Sequence, residues 1–278
     1  VGCSAGSFSA FVLNLGYTNK EIIEFIKNFN FSIVEPEINF KNIFLKFGIG
    51  NTDKIRIVFQ QFLENKYNRK DITFIELWKL TSKKLIIVGT NLSKLKAESF
   101  DYINTPNMSI ITALIISISI PVIFTPTIYN NDYYVDGGVI CRFPIEYCNK
   151  NTTLGFYIHT PPIKITSIKG VVNATLASYA NYTNIVNLNN NVSIIKIVYD
   201  LGEDEAAVEF NMSKAFIQNI LNVGIIAAQE YMTNMNKKVK EIIMESYTMD
   251  KGTQTETFIE KEQEKEQEKE QEKEQIKE

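Results

Sequence analysis

Gly2-Cys3-Ser4-Ala5-Gly6 constrains this chain more than any other stretch. The five residues fit Gly-x-Ser-x-Gly, the pattern of a nucleophile elbow, in which a serine occupies a sharp strand-to-helix turn with its hydroxyl exposed. Glycine is expected at both flanks, because a side chain at Gly2 or Gly6 would collide where the backbone doubles back. Downstream, Phe8, Phe11, Val12 and Leu15 recur at helical spacing and Gly16 is a natural stop. Ser4 is therefore expected at a helix N-terminus, where partial positive charge and free N–H groups favour a developing anion. An elbow also needs a buried strand before it, and Val1 is all that precedes the motif. The chain is accordingly expected to be a fragment or processed product that lacks its first strand and loop. Taken alone, the pentapeptide serves equally well as a structural turn.

The chain has 278 residues, 45% of them hydrophobic, enough for one large core, or for one domain with an appendage. Its net charge is -3, and the segment from Glu260 to Glu278, with nine Glu and five Lys, accounts for the acidity. The remainder is close to neutral and carries no basic stripe interleaved with aromatics, so no nucleic-acid partner is expected. Cys3, Cys141 and Cys148 are too few for a disulfide scaffold and lack metal-ligand spacing, which points to a reducing compartment without a metal centre. The segment from Met108 to Ile128 is strongly apolar, but Pro121 and Pro126 interrupt it short of the ~20 residues a bilayer span requires. It reads as a buried helix running into a short strand, and no transmembrane span is expected.

Amphipathic helices are expected over Asn19–Phe29, with Thr18 or Asn19 as cap, over Asn51–Asn65 with Ile55, Phe59 and Phe62 inward, and over Thr73–Leu80. Lys84–Thr90 is a continuous apolar run, as in a strand buried on both faces. Ile128–Val135 resembles a hairpin turning at Asn130-Asn131-Asp132. Leu154–His159 and Ser193–Tyr199 read as strands, and Met212–Glu245 as a long helix loosened at Gly224. Helices alternating with apolar strands predict an α/β fold with a central, mainly parallel sheet flanked by helices. Its core is expected to include Phe11, Ile86, Ile87, Val88, Ile115, Phe124 and Ile158. Residues 1–250 would form this domain and residues 251–278 a low-complexity Glu/Lys/Gln tail. The tail repeats with a period of four and has no apolar stripe, so it is a solvated helix or a disordered appendage rather than a coiled coil.

Asp136-Gly137-Gly138 gives the elbow a partner. Asp136 ends a predicted strand, and two following glycines would let the chain turn with positive φ and leave the carboxylate projecting. The commoner use of such an aspartate is to cap its own turn. Further pieces agree in order and spacing. They are Lys84-Leu85-Ile86-Ile87-Val88-Gly89-Thr90-Asn91, the Ser-x-x-x-Pro-x-x-Phe-x-Pro stretch Ser117 to Pro126, and Tyr134-Val135-Asp136-Gly137-Gly138-Val139 followed by Pro144. Together with the elbow, these resemble the patatin-like phospholipases over roughly the first 160 residues.

The resemblance implies a lipid acyl hydrolase of the phospholipase A or lysophospholipase type. Ser4 would be the nucleophile and Asp136 its base, without histidine and without cofactor or metal. The substrate would be a lipid or phospholipid at a membrane surface, and the protein cytoplasmic or peripheral to membranes. The family places its main oxyanion donors on a glycine-rich loop well before the elbow, and no residue of that loop lies in this sequence. Two other readings stay open. Ser4, Asp136 and His159, the single histidine, have the chain order of an α/β-hydrolase triad. Alternatively, a catalytically dead acyl-hydrolase fold could serve as a binding module.

Overall fold

The computed structural model describes residues 1–37, 41–159, 193–198 and 210–241, with positions 165, 171, 174, 175 and 178. Residues 1–224 form one compact unit and 225–278 another. In the second, residues 225–241 are helical. The expected boundary at 250 and the tail over 251–278 lie outside the described residues.

The first half of the chain runs β1 (Gly2–Cys3), α1 (Ala5–Asn14), α2 (Asn19–Asn28), α3 (Lys41–Lys46), β2 (Gly48–Gly50), α4 (Asp53–Tyr67) and α5 (Phe74–Thr81). Then follow β3 (Ile87–Asn91), β4 (Lys96–Phe100), α6 (Ile110–Ile118), β5 (Val122–Phe124), β6 (Thr127–Tyr129) and β7 (Asp132–Asp136). The last strands among the described residues are β8 (Leu154–His159) and β9 (Ser193–Val198). α2 and α5 each start with a reciprocal capping box. The Thr18 and Thr73 hydroxyls accept the N–H of Glu21 and Glu76, and each Glu answers the Thr N–H.

β3 is the spine of the central sheet, and all five of its residues are buried. β4 covers one of its edges, antiparallel, from Ile87↔Phe100 to Asn91↔Lys96. Two strands share the other edge. β1 pairs parallel over Gly2↔Ile87 and Cys3↔Val88. β7 pairs antiparallel over Gly89↔Asp136, Thr90↔Val135 and Asn91↔Tyr134, and β6 then pairs with β7. The α/β architecture with a helix-flanked central sheet is as expected, but the sheet is mixed rather than mainly parallel. Among the described residues β1–β3 is its single parallel pair. The reason is local: β3–β4 and β6–β7 are hairpins, and a hairpin is antiparallel by construction. Asn130 and Asn131, with φ of 49° and 66°, make the tight turn of the second. Two further parallel pairs, β2–β5 and β8–β9, stand outside the central sheet.

The main core gathers Phe11, Leu63, Phe74, Leu77, Ile87, Phe100 and the buried face of α6, where Ile110, Ile111, Leu114, Ile115 and Ile116 lose essentially all solvent contact. Ile86, Val88 and Phe124 are buried as expected. Ile158 is not; it is 58% exposed. β8 alternates, with Gly155 and Tyr157 buried and Leu154, Phe156 and Ile158 facing out, so one face of that strand is covered and the other is open.

Candidate active site

An elbow needs a strand before its serine, and where this chain was expected to lack one, two residues, Gly2–Cys3, form it. Gly2 N–H donates to the Ile86 carbonyl at 3.0 Å, which locks the strand to β3. The chain then turns at Ser4, with φ 52° and ψ -133°, and enters α1. A non-glycine residue with that φ stores strain and persists where its surroundings over-determine it. The surroundings here are specific. The Ser4 N–H donates to Ser117 Oγ at 3.0 Å. Its carbonyl accepts the N–H of Ser7 at 2.9 Å and the Ser7 hydroxyl at 2.6 Å.

The turn needs Gly2. A Cβ there would stand 2.2 Å from the Gly6 carbonyl oxygen and 2.5 Å from Ser7 Cα. The expected need at Gly6 is corrected, because a Cβ on Gly6 meets nothing within 4 Å. The Gly137-Gly138 pair is also corrected in its reason. Neither has positive φ; Gly137–Val139 is a short 3-10 turn. Gly137 is required by close approach, since its Cβ would come 2.4 Å from the Val88 carbonyl oxygen. At Gly138 a Cβ would press on Asp136 Oδ1 at 3.0 Å.

Ser4 and Asp136 lie side by side. The Ser4 hydroxyl donates to Asp136 Oδ2 at 2.6 Å across 132 residues of sequence. Asp136 Oδ1 accepts the Gly138 N–H at 2.7 Å, so the aspartate also caps its own turn. Its backbone N–H donates to the Ser119 carbonyl at 2.8 Å. Asp136 is buried and Ser4 is half-buried, with exposed Ala5 and Gly6 beside it. Burial raises the Asp136 carboxyl from its ordinary 3.8 to about 6, against the pull of the Ser4 hydroxyl, the Gly138 N–H and the Arg142 charge. A carboxylate of this kind is mostly ionised at neutral pH yet more basic than a solvated one.

Cys3, on β1, lies beside the same turn, its Sγ 3.0 Å from where a Gly137 Cβ would stand. Burial first, then the Asp136 and Cys141 charges, push its thiol well above the usual range, so it stays a neutral packing residue. His159 sits elsewhere. It ends β8 in the β8–β9 pair, with its ring 6.3 Å from that of Tyr157. The hydrogen bond a triad histidine would receive from Ser4 goes to Asp136. Among the described residues no group of His, Cys, Asp and Glu is placed to hold a metal ion. No described helix is long and apolar enough to cross a membrane.

A family model described as Patatin-like phospholipase matches residues 1–148, just over half of the chain. The chain belongs to the patatin-like phospholipase family. The patatin-like region thus contains the whole central sheet, α6 and both members of the Ser4–Asp136 pair. A curated relative from Invertebrate iridescent virus 6, "Probable lipid hydrolase 463L", is 35% identical over 152 residues, covering 54% of this chain and 52% of that protein. "Uncharacterized protein R571" of Acanthamoeba polyphaga mimivirus is 34% identical over 146 residues, covering 52% of this chain and 48% of its own length. The patatin-like chain therefore spans about half the length of these relatives. Among solved structures, VipD from Legionella pneumophila aligns with a TM-score of 0.44 at 16% identity, covering 84% of this chain and 54% of that one.

Three contributors to the site were not singled out by the sequence pattern. Ser7, Ser117 and Ser119 act through a hydroxyl or carbonyl on backbone groups, and such pairings leave no periodic signal. Ser117 and Ser119 did lie inside the Ser-x-x-x-Pro-x-x-Phe-x-Pro stretch, the one available pointer to them.

Proposed function

We propose that the protein carrying this chain is a serine hydrolase of lipid acyl esters, of the phospholipase A or lysophospholipase type. Ser4 is its nucleophile and Asp136 its general base. The observation that carries the reading is the 2.6 Å hydrogen bond from the Ser4 hydroxyl to a buried carboxylate raised to about 6. The name of the iridescent-virus relative and the family agree with it.

The chemistry follows from the geometry. A serine hydroxyl becomes a useful nucleophile when a base takes its proton during attack. Asp136 Oδ2 already holds that proton's hydrogen bond. As Ser4 Oγ bonds to the ester carbonyl carbon, the proton passes to Asp136 and the carbonyl oxygen becomes an oxyanion. The N–H groups of Ala5 and Gly6, in the first turn of α1, have no partner inside their helix and are available to that oxyanion. Collapse expels the alcohol, which takes the proton back from Asp136 and leaves an acyl-serine. Water then attacks the acyl group with Asp136 again as base, releasing the fatty acid and restoring Ser4. No step calls for a metal or cofactor. The substrate is a lipid or phospholipid presented at a membrane surface, which suits a cytoplasmic or membrane-peripheral protein.

The test is hydrolysis of phosphatidylcholine and lysophosphatidylcholine vesicles by protein expressed from the complete reading frame. Fatty acid release that persists in EDTA and disappears in Ser4→Ala supports the reading. Inertness towards acyl esters of every chain length, or loss of activity on chelation, contradicts it.

A further inference from the structure

We infer that Ser117 is a positioning residue for the Ser4 nucleophile: its hydroxyl is spliced into the β1–β3 ladder and holds the elbow in register with Asp136. The inference rests on the Ser4–Asp136 reading above. Along a parallel ladder, donors recur at every second residue of the strand. Gly2 N–H already bonds to the Ile86 carbonyl. The next donor on that side is Ser4 N–H, and the next acceptor on β3 is the Val88 carbonyl. Ser117 Oγ stands at this rung, accepting from Ser4 N–H at 3.0 Å and donating to the Val88 carbonyl at 2.7 Å.

The splice suits what Ser4 must do. Its backbone has turned out of the strand, at φ 52°, so that the hydroxyl faces Asp136. A hydroxyl in the rung lengthens the connection by one atom and keeps both polar groups satisfied where water is excluded, for Ser117 itself is fully buried. Ser7 grips the Ser4 carbonyl, but it belongs to the turn that Ser4 itself begins. Ser117 comes from α6 and so ties the turn to the sheet. The same helix end serves the partner, because the Ser119 carbonyl accepts the Asp136 N–H at 2.8 Å. Residues two apart on one segment thereby set the backbone positions of nucleophile and base. Gly89 lets that segment approach, since a Cβ on it would meet Ile116 Cγ2 at 2.5 Å.

The experiment compares Ser117→Ala, Ser117→Cys, Ser109→Ala and Ser4→Ala in protein expressed from the complete reading frame. It reads kcat and KM on lysophosphatidylcholine, the rate of Ser4 labelling by a fluorophosphonate, and Tm. Misplacement of a reacting group by about 1 Å costs up to ~10²-fold, so Ser117→Ala should lower kcat roughly 10- to 100-fold with KM within about 3-fold. Fluorophosphonate labelling should slow in parallel. The acid limb of the pH profile should hold or move up, not down, because Asp136 keeps the Gly138 N–H while the bond it accepts from Ser4, which lowers its carboxyl, is loosened.

Ser117→Cys keeps the volume with a weaker donor, should lose activity by an intermediate factor, and carries the test if the alanine variant does not fold. Ser109→Ala removes the N-cap of the same helix, whose hydroxyl accepts the Thr112 N–H at 3.0 Å. It should lower Tm while kcat stays within about 2-fold, which separates positioning from general destabilisation. Wild-type kcat and labelling in Ser117→Ala, or in Ser117→Cys should the alanine variant not fold, overturn the inference. If Ser4→Ala is dead at the same time, the Ser4–Asp136 reading survives that failure. Activity persisting in Ser4→Ala overturns both.

Discussion

Ser4 follows, and Asp136 ends, one of two strands that run toward each other along one edge of β3. β1 climbs parallel to β3 and leaves it after Cys3, opposite Val88. β7 descends antiparallel and stops at Asp136, opposite Gly89. Neighbouring residues of a single buried strand therefore set the separation of the pair, and no loop has to hold it. A site built on strand ends in this way is pre-organised before any substrate arrives. Both backbone N–H groups are then pinned by the end of α6, one through the Ser117 hydroxyl and the other through the Ser119 carbonyl.

The first prediction concerns pH. With the Asp136 carboxyl raised to about 6, the proposed base is protonated and idle below that value and ionised above it. The kcat/KM profile of the free enzyme should rise through an acid limb centred near pH 6 and level off toward neutrality. His159→Ala should leave this limb where it is. A limb near pH 4 would mean that burial does not tune Asp136. A limb that disappears with the histidine would assign the titration to His159.

The same burial has a cost that Asp136→Asn should relieve. A carboxyl whose folded value lies above its unfolded one favours folding in its protonated form. Its contribution is full below about 4 and is lost as pH rises through about 6. A rise from 3.8 to about 6 corresponds to roughly 3 kcal/mol as an order of magnitude. The amide keeps an acceptor for the Gly138 N–H and carries no charge to desolvate. Asp136→Asn should thus be more stable than wild type at pH 7–8, with the gain shrinking toward pH 4. Urea unfolding at the two ends of this range measures it. A gain that is constant with pH contradicts the account.

Two glycines should respond with opposite sign. Gly137→Ala drives a methyl into the Val88 backbone, 2.4 Å from its oxygen, and displaces the residue next to Asp136. It should cost at least about 1–3 kcal/mol and most of the activity. Gly224 lies within a helical stretch, and a Cβ on it meets nothing within 4 Å. Gly224→Ala should stabilise by about 1 kcal/mol through helix propensity. Thermal melts of both variants check the pair, and equal shifts of the same sign would contradict it.

The parts of the molecule that were legible in the sequence are those written in local chemistry. The turn at Asn130-Asn131, the capping threonine Thr18 and the Asp136-Gly137-Gly138 turn each announce themselves within a few residues. The strand β4 did not. Its residues Lys96–Phe100 are mostly half-exposed and carry two charges, so no apolar run or alternation marks it. It is held by pairing to β3, and with it the sheet becomes mixed. The pairing of Ser4 with Asp136 was legible through motif order, whereas the value near 6 at Asp136 was not. That value comes from burial, a sum over neighbours from β1, β3 and α6 that no stretch of sequence displays. Ile158 failed for the opposite reason: an apolar residue in a strand shows which face it shares, but not whether anything covers that face.

The most direct test of the central claim, that Asp136 alone activates Ser4, is the turnover of Asp136→Asn set beside that of His159→Ala in protein expressed from the complete reading frame. Asparagine preserves shape but cannot accept the proton, so Asp136→Asn should fall by at least the ~10²–10⁴-fold typical of a positioned general base. His159→Ala should stay within a few-fold of wild type. If His159→Ala instead falls about as far as Ser4→Ala, as members of one catalytic unit do, the base is the histidine and the account is wrong.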